Sequence, residues 1–115
     1  MSVPPHLEMK SSAGCPYDLI IYRKKDDKKC VGFFKVVAEP QEVGIIYYMF
    51  IRNKSRGRGY ATAALNRLKE NFACLKTQVS ASSKDSLDYL KSQGFRTEGN
   101  WTIWGEPLKK KSLIM

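Results

Sequence analysis

A chain of 115 residues has the length of one domain, large enough to bury a core without disulfide staples. Its apolar fraction of 43% is ordinary for a globular protein, and no run approaches the roughly 20 apolar residues of a membrane span. The formal net charge of +9 is the unusual bulk property and implies an anionic partner.

Met1 to Pro16 is proline- and serine-rich, lacks the apolar stretch of a signal peptide, and holds one short strand signal at Leu7 to Lys10. Asp18 to Lys24 and Cys30 to Ala38 are apolar and β-prone on either side of a polar turn, which predicts a hairpin. Gly44 to Ile51 is apolar nearly throughout and reads as a strand buried on both faces. From Tyr60 to Ala73 the period becomes helical, with Ala61, Ala64, Leu65, Leu68 and Phe72 on one face. Leu75, Thr77, Val79 and Ala81 then alternate as a strand. Ser82 with Asp85 marks the start of a second helix, and Gly94-Phe95 marks its stop. Arg96 to Trp104 predicts a last strand, and residues 106–115 a loose tail. No repeat or linker divides residues 1–115. The order is a β-hairpin followed by β-α-β-α-β, an α/β (α+β) mixed sheet in which the strand–helix–strand unit supplies a parallel pair.

Cys15, Cys30 and Cys74 are odd in number and scattered, with no C-x-x-C pair. They predict neither a disulfide framework nor a metal site, and fit reduced thiols in a cytoplasmic protein. The lysine pairs at 24–25 and 28–29 and the run at 109–111 read as solvated charge. Arg52, Lys54, Arg56 and Arg58 differ, because they crowd one turn.

That turn, Arg56-Gly57-Arg58-Gly59-Tyr60-Ala61, lies between an apolar strand and a helix start. Glycine lets the backbone approach a ligand closely, and the first helical turn offers unpaired N–H groups and the positive end of the dipole. The arrangement suits a phosphate. It matches neither G-x-x-x-x-G-K-[ST] nor a G-x-G-x-x-G fingerprint.

It does match R-x-x-G-x-A, and so resembles the pyrophosphate-binding turn of the GNAT superfamily of acyl-CoA-dependent N-acyltransferases. Ser83 to Phe95 resembles the same superfamily's N-x-x-A-x-x-L-Y-x-x-x-G-F helix, and the likeness extends over residues 18–104. The resemblance implies an acetyl-CoA-dependent N-acetyltransferase that moves an acetyl group to a primary amine directly, in a ternary complex. Backbone N–H groups of Gly57, Arg58, Gly59, Tyr60 and Ala61 would hold the pyrophosphate, with Arg56 and Arg58 adding charge. Backbone groups of Met49 and Ile51 would pair with the pantetheine arm.

Four departures bear on the chemistry. The superfamily's asparagine is Ser83 here, which can still hydrogen-bond the coenzyme arm. Its tyrosine acid falls at Leu90, leaving the adjacent Tyr89 as the candidate proton donor. Its strand glutamate falls near Ile45, leaving Glu42 as the nearest candidate base, with Glu39, Tyr47 and Tyr48 close by. Finally, Ser11 to Tyr17 is too short for the two helices that usually precede the hairpin. The acceptor amine is a small molecule or a protein, and an open acceptor side suits a macromolecular acceptor or a wall supplied by a second subunit in a homodimer.

The alternatives are an acyl-CoA-binding pseudo-enzyme and a small basic nucleic-acid-binding domain. The second would use Tyr47, Tyr48, Trp101 and Trp104. Against it, these aromatics stand in apolar strands and read as core.

Overall fold

The computed structural model describes residues 5–11, 17–24, 29–79 and 83–108. Residues predicted or weighed at Cys15, Ser82 and 109–115 lie outside them. The β-prone segments become β1 (His6–Ser11), β2 (Tyr17–Tyr22), β3 (Cys30–Glu39) and β4 (Val43–Ile51), each antiparallel to the one before. The helical-period segment becomes α1 (Tyr60–Asn71), followed by β5 (Cys74–Gln78) and α2 (Lys84–Ser92). The expected last strand is two: β6 (Arg96–Glu98) and β7 (Trp101–Gly105) fold back on each other through Gly99-Asn100.

The seven strands form one sheet in the order β1-β2-β3-β4-β5-β7-β6, so β7 inserts between β5 and β6. Only β4 and β5 are parallel, as the strand–helix–strand order requires. Their ladder is short, pairing Val43–Ile45 with Cys74–Lys76 and ending there.

Both helices pack on one face of the sheet. Ala64, Leu65 and Leu68 of α1 and Leu90 of α2 join Leu19, Ile21, Phe34, Val36, Ile46 and Leu75 in one buried cluster. Each of the larger side chains here, all but Ala64, contributes on the order of 1.5–3 kcal/mol on withdrawal from water. The opposite face carries a smaller cluster of Val43, Ile45, Cys74 and Ile103 with Trp101, and no helix among the described residues covers it.

Three expectations are corrected here. Only the first half of β4 is buried on both faces; Tyr47, Tyr48 and Phe50 are exposed, because no helix lies over that side. The N-cap of α2 is Ser83, whose hydroxyl accepts from the Ser86 N–H at 3.2 Å. The start of the expected tail is tied down: Glu106 N–H donates to the Ala73 carbonyl and Leu108 N–H to the Gln41 carbonyl.

Candidate functional site: a cleft between a splayed strand edge and two helix starts

A β-bulge on β4 creates the site. Lys35 of β3 faces Tyr48 while Val36 faces Ile46, so Tyr47 is an extra residue that bends the strand. Beyond the bulge β4 keeps β3 as its partner but parts from β5. At the point of divergence the Thr77 hydroxyl donates to the Ile46 carbonyl at 2.9 Å, in place of the next rung of the ladder.

The remaining edge has a definite polarity. Arg52 N–H donates to the Val31 carbonyl at 2.8 Å, which fixes Arg52, Phe50 and Tyr48 as the residues whose backbone groups face β3. By alternation, the N–H and C=O of Met49 and Ile51 point to the open edge. The Ile51 carbonyl on that edge accepts from Arg56 Nε at 3.1 Å. This leaves the Met49 N–H and C=O and the Ile51 N–H directed at the gap.

A single 3-10 turn, Asn53–Ser55, then leads into the glycine turn. Gly57 and Gly59 stand at φ +77° and +82°, the left-handed region that other residues rarely adopt, and a Cβ at either would meet nothing within 4 Å. The glycines therefore serve backbone conformation and leave space above the turn.

The two helix starts beside this space are unlike. The first turn of α2 has a side-chain cap from Ser83 and an acidic residue, Asp85. The first turn of α1 has neither: its N-cap is Gly59 and it holds no acid. Its N–H groups and the positive end of its dipole are thus left for an external anion, with Arg56 and Arg58 exposed alongside.

These parts line one cleft of about 540 Å³. Met49, Phe50 and Ile51 give the strand side, Ser55 to Gly57 and Gly59 to Thr62 the turn and α1 side, and Ser83, Asp85, Ser86 and Tyr89 the α2 side. The Tyr89 hydroxyl lies 2.7 Å from the Thr62 hydroxyl across it. Burial pushes the Tyr89 phenol above its ordinary 10.0, and the bond to Thr62 partly offsets this, so the phenol keeps its proton at neutral pH.

The structure brings Met49, Ile51, Arg56, Gly57, Gly59, Tyr60, Ala61, Ser83 and Tyr89 to one cleft, with Arg58 exposed on the same turn. It does not bring Glu42 there. Glu42 is exposed on the β3–β4 turn at the opposite end of β4, where its carbonyl accepts from the Ala73 and Cys74 N–H groups. Leu90 is fully buried in the core, and Ile45 belongs to the cluster on the other face. Thr62, Asp85 and Ser86 line the cleft although none of them is a site residue by sequence, Asp85 being only a helix-start marker there. Thr62 was findable, since it stands in the same first helical turn as Tyr60.

A model of the Acetyltransferase (GNAT) family matches residues 4–95. The chain belongs to this family. Solved structures with the same fold include GCN5 of Tetrahymena, with a TM-score of 0.62 at 18% identity over 77% of this chain and 67% of that one. Naa50 of Arabidopsis thaliana, in complex with the bisubstrate analogue CoA-Ac-MVNAL, aligns with a TM-score of 0.64 at 17% identity, covering 77% and 72% of the two chains. The putative N-acetyl transferase YhhK of E. coli, bound to coenzyme A, gives 0.66 at 15% identity, covering 84% and 78%. No curated protein matches the chain. The GNAT core expected from the glycine turn and the α2 motif is therefore the fold of this chain.

Proposed function

We propose that this GNAT chain moves an acetyl group from acetyl-CoA to a primary amine by direct transfer in a ternary complex. The observation that carries the proposal is the junction of an uncapped, acid-free helix start with an open strand edge in one cleft. Coenzyme A bound to YhhK and the bisubstrate analogue bound to Naa50 support the same reading.

In this reading the N–H groups of residues 57–61 hold the pyrophosphate, and Arg56 and Arg58 add charge at the rim. Met49 and Ile51 pair their open backbone groups with the amides of the pantetheine arm, as an added strand would. A strand N–H in this stretch stabilises the thioester oxygen as charge develops on it, an effect of roughly 3–4 kcal/mol per donor in other enzymes. Ser83 hydrogen-bonds the arm. Tyr89, protonated and held by Thr62, gives its proton to the departing thiolate. With Glu42 remote, the acceptor's ammonium loses its proton to solvent on the open side of the sheet.

A second reading, acyl-CoA binding without turnover, is favoured by one observation: Leu90 fills the family's tyrosine position with a buried aliphatic side chain. Two measurements separate them. Calorimetric titration with acetyl-CoA, alongside Gly59→Glu, is expected to show binding by the wild type that the variant lacks. Thiol release in the presence of a panel of amines and lysine peptides then reports turnover. A folded wild type that does not bind acetyl-CoA sinks both readings, and binding without thiol release leaves the second.

A further inference from the structure

One side chain of the glycine turn already occupies the open strand edge. The Ile51 carbonyl accepts from Arg56 Nε at 3.1 Å. The 3-10 turn between them makes this possible. Ser55 N–H donates to the Arg52 carbonyl and Arg56 N–H to the Asn53 carbonyl, which brings Arg56 back beside Ile51. Arg56 is exposed and lines the cleft, and its remaining guanidinium N–H groups have no partner among the described residues. Asp85, the acid on the opposite wall, makes no ion pair with it. The bond has a physical cause. With no anion present, the positive end of the α1 dipole repels a guanidinium, which is better placed on a carbonyl.

We infer that Arg56 is a two-position residue that makes the coenzyme's arm and its phosphates bind cooperatively, so that the cleft selects the intact coenzyme over its parts. This role rests on the acetyl-CoA reading of the cleft. The pantetheine arm carries two amides, and the open edge has two carbonyls to accept their N–H groups, Met49 and Ile51. The Met49 carbonyl points into the gap, whereas that of Ile51 is held by Arg56. Arg56 reaches Ile51 from the cleft, the side on which the arm must lie. An amide that takes the Ile51 carbonyl therefore displaces the guanidinium. The released group turns to the first turn of α1, where Gly57 and Gly59 leave open space and the helix start has neither acid nor side-chain cap. A bound pyrophosphate reverses the repulsion there and holds it.

The two halves of the coenzyme thus favour the same position of one side chain. Pantetheine alone must break the Arg56 bond and leaves the guanidinium facing a positive helix start. Pyrophosphate alone draws the guanidinium away and leaves the Ile51 carbonyl to water. Together, each supplies what the other lacks. The coupling is positive and, by linkage, equal in both directions. Pantetheine is uncharged, so direct attraction between the two ligands does not produce it. The bond is exposed, which sets the coupling at about fivefold, the low end for linked sites. A small thioester that brings the arm without the phosphates is discriminated against by the same factor.

The test titrates the full-length protein with pantetheine and with inorganic pyrophosphate, singly and together, followed by amide NMR shifts. Acetyl-CoA binding is measured first on the same preparation. In the wild type, saturating pyrophosphate should tighten pantetheine about fivefold, and saturating pantetheine should tighten pyrophosphate by the same factor. Arg56→Met should abolish the coupling and weaken pyrophosphate alone by about threefold or more. It should also bind pantetheine alone about threefold more tightly than the wild type, because the Ile51 carbonyl is then free. Arg52→Met removes an equal charge that is exposed nearby, and should keep the coupling. Both variants replace exposed side chains, and their NMR spectra report folding. Four results each overturn the role given to Arg56: no coupling in the wild type, coupling that survives Arg56→Met, pantetheine binding that Arg56→Met leaves unchanged or weakens, and coupling lost equally in Arg52→Met. Pyrophosphate affinity indifferent to Arg56, as when the released guanidinium pairs with Asp85, overturns it too. Any of these in a wild type that binds acetyl-CoA leaves the acetyl-transfer reading standing, and a folded wild type that does not bind acetyl-CoA overturns both.

Discussion

The Tyr89 hydroxyl lies 2.7 Å from the Thr62 hydroxyl, joining α2 to the first turn of α1 across the cleft. The contact gives the phenol a fixed position and a pKa governed by two opposed causes, burial raising it and the Thr62 bond lowering it. If Tyr89 supplies the proton to the leaving thiolate, Tyr89→Phe should lower kcat by about 10²-fold, at the lower end for general acids, and barely change acetyl-CoA affinity. Thr62→Val should cost less in rate and carry a distinct mark. Removing the bond that lowers the phenol's pKa moves the alkaline limb of the pH–rate profile upward. Equal kcat in wild type and Tyr89→Phe would reduce the phenol to packing.

The glycine turn separates a backbone role from a ligand role. Gly57→Ala places a side chain in open space but at φ +77°, and should cost about 1–2 kcal/mol of stability. Gly59→Glu incurs the same conformational cost at φ +82° and in addition sets a carboxylate at the helix start. Denaturant titration of both variants should give similar losses, while calorimetry shows acetyl-CoA binding abolished only in the second. Retained binding in Gly59→Glu would place the coenzyme phosphates elsewhere.

Leu90 is fully buried between α2 and the sheet. Leu90→Ala should therefore destabilise the fold by about 2–5 kcal/mol, a large part of the stability expected of such a domain. Leu90→Met, which nearly conserves volume, should cost under about 1.5 kcal/mol. Urea midpoints measure both. A loss in Leu90→Ala no larger than in Leu90→Met would contradict the packing described.

Cys74 is buried on the rear face, and burial pushes its thiol above the ordinary 9.0, although Lys76 and Arg96 pull the other way. The folded chain thus holds this proton more tightly than the unfolded chain. Stability owed to Cys74 is complete below pH 9.0 and falls as pH rises past it towards the folded value. Thermal unfolding followed from neutral pH upward should show this decline. Cys74→Ala should flatten its first part, at some cost in packing; an identical slope would remove Cys74 as its source.

Local sequence specifies most of the elements and the glycine turn. Hydrophobic period distinguishes strand from helix locally, and Arg56 to Ala61 carries its ligand chemistry in backbone conformation and helix polarity, both local properties. Local reading erred where a neighbour decides. The apolar run of β4 looked buried throughout, yet exposure beyond Ile46 depends on whether a helix covers that face, which no residue of β4 encodes. For that reason Tyr47 and Tyr48 stand exposed where an apolar run predicts core. The bulge, one extra residue in one ladder, is visible only in register against β3, and it both splays the sheet and doubles the aromatics on the rear. Glu42 stands near β4 in sequence but at its far end in space, because an extended strand advances about 3.3 Å per residue. Tyr89 and Thr62, distant in the chain, meet because α1 and α2 pack on the same face. The meeting of Tyr89 with Thr62 was therefore decided by tertiary packing, and the conformation of the glycine turn by local sequence.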